Sequence, residues 1–130
     1  MIPELLEKIN AESLERLISD GVIENRSLDY KRELPVRAEH LLDDVCAFAN
    51  TDGGDLVFGI SENEGAPKKL ELLAIDNMDG ELLRIQSLII NGLEPKIYGV
   101  RLHPVVQDGK ILAIIVRIPQ SWSRPVRSIC

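Results

Sequence analysis

The stretch Ala47-Phe48-Ala49-Asn50-Thr51-Asp52-Gly53-Gly54-Asp55-Leu56-Val57-Phe58-Gly59-Ile60 decides how this chain folds. Upstream of it Ala38, Leu41, Leu42, Val45, Phe48 and Ala49 recur at helical spacing, which predicts an amphipathic helix. Asn50 ends that helix and Thr51-Asp52-Gly53-Gly54 turns the chain, because glycine carries no Cβ and takes positive φ without strain. Leu56-Val57-Phe58-Gly59-Ile60 is then a short apolar run of strand formers, apolar on both faces and so central in its sheet. Gly59 within that run marks a bulge or a close backbone neighbour.

Working outward, Leu28-Asp29-Tyr30-Lys31-Arg32-Glu33 alternates and reads as a strand with one polar face. Pro35 suits the first turn of the helix that follows. Towards the N-terminus, Leu5, Leu6, Ile9, Leu14, Leu17 and Ile18 form one apolar stripe; Asn10 is placed to cap a helix from Ala11 and Gly21 to stop it. Downstream, polar Ser61 to Lys69 reads as a hairpin loop and Leu70 to Ile75 as the returning strand. Leu82, Leu83, Ile85, Leu88 and Ile89 give a further helical stripe. Asp108-Gly109 is a hairpin turn between an extended segment and the apolar run Ile111 to Val116. The expected strands lie at about 28–33, 55–61, 97–106 and 110–118, and the expected helices at about 11–19, 36–50 and 79–91. Helices alternating with hairpins indicate an α+β class: a mixed β-sheet packed with about three helices.

The length of 130 residues suits one domain, 1–130. Aromatic residues make up only 4%, so the core rests on Leu, Ile and Val. No apolar run is long enough to span a membrane, and Met1-Ile2-Pro3-Glu4 lacks the basic and apolar regions of a signal peptide, so the expected address is the cytoplasm. The two cysteines, Cys46 and Cys130, form neither a disulfide framework nor a zinc site; Cys46 is expected as a small buried group. A net charge of −6 opposes nucleic-acid binding unless the basic residues cluster, since phosphate affinity comes from Lys and Arg.

Several chemistries lack their motifs. There is no G-x-x-x-x-G-K-[ST] phosphate loop and no G-x-S-x-G elbow, so no nucleotide hydrolysis is expected. His40 and His103 stand in no metal-ligand or triad spacing and read as surface or half-buried residues. Two features remain. Lys31 and Arg32 on the polar strand, with Arg117, Arg124 and Arg127 near the end of the chain, form a candidate phosphate-binding set, and Trp122 among them is a candidate base-stacking platform. The turn of Asn50, Thr51, Gly53 and Gly54 is structural first; its N–H groups are also a candidate anion nest.

Leu28-Asp29-Tyr30-Lys31, then Ala47 to Gly54, then Gly59-Ile60-Ser61-Glu62 resembles the Schlafen-type AlbA-like domain, formerly catalogued as a divergent AAA ATPase. The likeness runs from about Glu12 to Pro125. It implies the AlbA-like fold and, as in bacterial relatives, a DNA-binding module at the N-terminus of a transcriptional regulator, so the chain is expected to belong to a longer protein. No cofactor is implied for that role, and the partners are DNA or RNA, bound weakly. Two alternatives stay open. Some relatives cleave tRNA with three carboxylates, which the resemblance places at Glu24, Asp29 and Glu62, using Mg²⁺ or Mn²⁺; here Asp29 stands where the family usually has Glu, and Ser61 rather than an acid follows Ile60. The other alternative is a homo-oligomeric assembly domain without nucleic acid.

Overall fold

The computed structural model describes residues 1–122 and 125–129. After a 3₁₀ turn, Leu6–Lys8, come α1 (Ala11–Ser19), β1 (Leu28–Lys31), α2 (Ala38–Ala49), β2 (Gly54–Phe58), β3 (Ile60–Asn63), β4 (Ala66–Leu70), α3 (Met78–Gly92), β5 (Leu93–Glu94), β6 (Arg101–Gln107), β7 (Lys110–Ile118) and β8 (Arg127–Ser128). The class is α+β, as expected. A four-stranded sheet in the order β1-β2-β7-β6 forms the centre; β1 and β2 run parallel, and the β2–β7 and β7–β6 pairs are antiparallel. The hairpin β3–β4 and the ribbon β5–β8 are separate two-stranded sheets.

Side chains alternate across a strand, and this sheet is covered on both sides. On one face Leu56, Phe58, Ile114, Val116 and Ile118 pack with Leu41, Leu42 and Val45 of α2 and with Ile85 and Ile89 of α3. On the other face Tyr30, Val57, Ala113 and Ile115 pack with Leu14 and Leu17 of α1 and with Ile2, Leu6 and Ile9 of the N-terminal segment. Each large side chain so buried is worth roughly 1.5–3 kcal/mol. The molecule is therefore three layers with β2 and β7 in the middle.

The local signals act as their chemistry dictates. Asn10 caps α1 in a reciprocal box with Ser13. Asn50 is the C-cap of α2. Gly53 has φ +76°, and a Cβ there would stand 2.6 Å from the Ile118 carbonyl oxygen; one on Gly54 would stand 2.7 Å from that of Ser27. The two glycines thus admit the backbone on either side of β2, β7 and the lead-in to β1. Gly59, at φ +119°, lets the chain pass Leu112 and separates β2 from β3. Asp108 and Gly109 both take positive φ at the β6–β7 turn.

Four expectations need correction. Ser61 to Lys69 is not a loop but most of a hairpin, because the turn is confined to Glu64 and Gly65, both at positive φ (52° and 84°). Its polar composition reflects exposure outside the central sheet, and Glu71 to Ile75, expected as part of the returning strand, is irregular. The extended segment from Lys96 joins the sheet only at Arg101, and Ile97 and Val100 pack on the core instead. Cys46 is half-buried rather than buried. Among the described residues no helix is long and apolar enough to cross a membrane.

Candidate functional site

Leu28 and Tyr30 of β1 face the N-terminal layer, so Asp29 and Lys31 must face α2. There the Lys31 ammonium lies 3.1 Å from Asp29 Oδ2 and 3.2 Å from Asp44 Oδ2 on α2. Burial works against the Lys31 charge, yet Asp29 and Asp44 together hold its pKa above the ordinary range. Burial raises the pKa of Asp44 despite Lys31, with Asp29 and Asp43 adding to the rise. This Asp29–Lys31–Asp44 bridge separates two surface clefts.

The first cleft, of about 400 Å³, is mainly acidic: Glu24, Asp29 and Asp44 line it with Arg26, Leu28, Ala47, Phe48 and Thr51. Glu24 Oε2 accepts the Tyr30 N–H at 2.8 Å, capping the outer edge of β1. Burial, then a side-chain hydrogen bond with Asp29, pushes the Glu24 pKa up to about 7, and the charge of Glu62 adds to it. Glu62 itself turns back to accept the Gly65 N–H at 2.8 Å. The fold therefore brings Glu24 and Asp29 together but commits Glu62 to its own hairpin. Among the described residues no group of three or more His, Cys, Asp or Glu is placed to hold a metal ion. The three carboxylates do not fit Mg²⁺ or Mn²⁺ as they stand.

The second cleft, of about 330 Å³, lies between the β1–α2 loop and α2 and is floored by Leu34, Pro35, Leu41 and Phe58. Lys31 and Asp44 form its inner wall, and Val36, Arg37 and His40 its mouth. An adjoining groove of about 390 Å³ shares Glu33 and Leu34 with it and includes Arg32 and Glu71. Arg32 Nε and Lys69 Nζ both approach Glu71 Oε1, at 4.0 and 3.8 Å. Two exposed cations thus share one carboxylate, and Arg37 is only loosely paired, 4.0 Å from Glu39.

The phosphate-binding set expected from the sequence is dispersed. Lys31 and Arg32 stand at the C-terminal end of β1. Arg117 is on the opposite face of the sheet, where it binds the buried Asp55 carboxylate at 2.8 and 3.0 Å and the carbonyl oxygens of Ile2 and Glu4 at 2.8 and 3.0 Å. Its guanidinium is consumed inside the molecule, so Arg117 is corrected from surface contact to structural anchor. Arg127 pairs with Glu94 in the β5–β8 ribbon at 2.9 Å. Trp122 is 88% exposed, next to Ser121, whose N–H bonds Ala49 O at the far end of α2 from the second cleft. Arg124 lies outside the described residues. Arg37 and Lys69 were missed as a cationic rim: they are separated in sequence, and only the β1–α2 loop and the β3–β4 hairpin bring them near Arg32.

The turn has work beyond bending. Asn50 Nδ2 donates to Val126 O and its Oδ1 accepts the Val126 N–H, each at 2.8 Å, so the side chain mimics a strand partner. Thr51 Oγ1 donates to Ala47 O at 2.9 Å. The N–H groups of Thr51 and Gly53 both donate to Phe48 O, which leaves no anion nest at these two amides.

A mixed-sheet α+β domain whose helix enters the central strand through Asn50-Thr51-Asp52-Gly53-Gly54, with paired carboxylates beside the first strand, defines a narrow structural class. The family model described as Schlafen, AlbA_2 matches residues 24–129, and the chain belongs to that family. Among solved structures it is similar to the N-terminal domain of an ATP-dependent DNA helicase RecG-related protein from Nitrosomonas europaea, with 16% identity, a TM-score of 0.62, and 89% of this chain and 79% of that one covered. It is also similar to the DIP2311 protein from Corynebacterium diphtheriae, with 18% identity, a TM-score of 0.49, and 88% of this chain but 22% of that one covered. The first of these likenesses speaks to the fold. No curated protein matches.

Proposed function

We propose that this domain binds nucleic acid, weakly and through phosphate, and that in its full-length setting it is the DNA-binding module of a transcriptional regulator. The observation that carries the reading is the convergence of Arg32 and Lys69 on the single carboxylate of Glu71. Long, exposed ion pairs contribute little to stability, so these cations are cheaply released to a phosphate. Arg37 extends the same rim. Membership of the Schlafen, AlbA_2 family supports it. The net charge of −6 opposes it and sets its strength: affinity belongs with non-specific binders, roughly 10⁻⁴ to 10⁻⁶ M, towards the weak end.

The test is fluorescence anisotropy with labelled DNA and RNA at two salt concentrations. Binding should fall steeply with salt. Arg32→Gln with Lys69→Gln should weaken it across unrelated sequences and flatten the salt slope, because phosphate contacts position without specifying. Absence of binding at low salt, or a double variant that binds like the parent, defeats the reading and leaves the homo-oligomeric assembly role.

A further inference from the structure

We propose that the second cleft receives one unstacked base of a single-stranded nucleic acid, with the flanking phosphates on Arg32 and Arg37. This rests on the nucleic-acid reading above and narrows it to a substrate class.

The cleft offers what a free base needs. Its floor of Leu34, Leu41 and Phe58 is apolar, matching the faces of a base, and its volume of about 330 Å³ falls in the range of small-molecule sites. The inner wall presents a donor and an acceptor side by side, the Lys31 ammonium and the Asp44 carboxylate, 3.2 Å apart. A base edge carries donors and acceptors of its own, but in a duplex they are paired and the faces are stacked. Only a single strand can present both at once.

Charge supports this occupant. Arg37 stands at the mouth, and Arg32 lines the groove that continues from Glu33 and Leu34, so the two arginines flank the β1–α2 loop. Both side chains are more than two-thirds solvent-exposed, and each has its acid no closer than 4.0 Å. The neighbouring acidic cleft makes the contrast. It is as large, yet it sets three carboxylates, Glu24, Asp29 and Asp44, against the single cation Arg26, which is itself paired with Asp52. Of the two clefts divided by the Lys31 bridge, the second balances Lys31 and Arg37 against Glu33 and Asp44, whereas carboxylates outnumber cations in the first.

The experiment compares labelled strands of equal length and charge at one low salt concentration: a single strand, the same strand with abasic sites, and the matching duplex. The single strand should bind about tenfold tighter than the abasic strand, since removing the bases leaves every phosphate in place. Val36→Glu should reduce single-strand binding severalfold and abasic-strand binding less. Val36 is 88% exposed, so this variant keeps the fold, which circular dichroism verifies. Equal binding of all three probes overturns the base site while leaving phosphate binding standing. A free nucleoside monophosphate that competes as well as the strand also overturns it, in favour of a mononucleotide site. Failure of every probe to bind removes the nucleic-acid reading itself.

Discussion

Asp55 and Arg117 stand opposite each other in the antiparallel β2–β7 register and close a two-pronged ion pair, Nε to Oδ1 at 2.8 Å and Nη2 to Oδ2 at 3.0 Å. The carboxylate is fully buried. The same pair takes up the N-terminal segment: the Ile2 N–H donates to Asp55 Oδ2 at 2.8 Å, and Arg117 donates to two carbonyls of residues 2 and 4. A charged pair thus joins the middle of the sheet to the first residues of the chain, and Ile2, Leu6 and Ile9 are laid over the second core.

Breaking such a pair strands a charge in the interior, which typically costs about 3–5 kcal/mol. Asp55→Ala should lower stability by that order in urea denaturation and raise amide exchange over residues 2–9. A double change, Asp55→Leu with Arg117→Met, removes both charges and should recover part of the loss. A single variant with an unchanged midpoint would show that the pair does not hold the segment.

Asn50 is the second tether. Both polar atoms of its amide are used on Val126, and Val126 is buried against α2. Asn50→Ala should cost about 1–3 kcal/mol through the two unmet backbone groups. Asn50→Asp should cost more than an exposed change of charge, because it keeps the acceptor and loses the donor. Exchange at the Val126 amide should rise in both variants, and protection equal to that of the parent would exclude the clamp.

What the sequence showed and what it hid follow from the range of the interactions involved. Helix α2, the Asp108-Gly109 turn and the close approach at Gly59 are written in neighbouring residues, and all three were legible. The partner of Arg117 was not, since Asp55 lies 62 positions away and becomes its neighbour only through the β2–β7 register. Arg117 therefore looked like free charge on a basic tail. At the β3–β4 hairpin the sequence suggested a hairpin but misplaced its strands, for another reason. It projects from the central sheet with Lys68 and Lys69 in solvent, so it lacks the apolar alternation that marks a half-buried strand. The joining of Glu24 and Asp29 was anticipated only from family likeness. Glu62 illustrates its limit, because a hydrogen bond within its own turn decides where that carboxylate points.

Glycine at position 59 should be irreplaceable in a way that Gly109 is not. Both have positive φ, but a Cβ on Gly59 would meet Leu112 O at 2.5 Å, whereas none of the surrounding atoms lies within 4 Å of one on Gly109. Gly109→Ala then carries only the left-handed conformational cost, about 1–2 kcal/mol. Gly59→Ala must also displace the β7 backbone and should exceed it clearly in thermal or urea denaturation. Equal losses would show that the contact at Leu112 relaxes freely.

The partial burial of Glu24 beside Asp29 makes stability depend on pH with a defined sign. The Glu24 pKa is raised from 4.5 to about 7, with burial as the main cause. Between those values the folded protein keeps a proton that the unfolded chain has released. Folding is therefore favoured by proton uptake, and this contribution is complete below about pH 4.5 and lost as pH rises through about 7. Glu24 is partly in solvent, and screening reduces the effect to about 1 kcal/mol. Glu24→Gln keeps an acceptor for the Tyr30 N–H but cannot ionise. Relative to the parent it should be the more stable protein at pH 8 and show little advantage at pH 4.5. Urea denaturation of both proteins at these two values measures the difference. A Glu24→Gln advantage that is the same at both, or larger at pH 4.5, would show that Glu24 ionises normally.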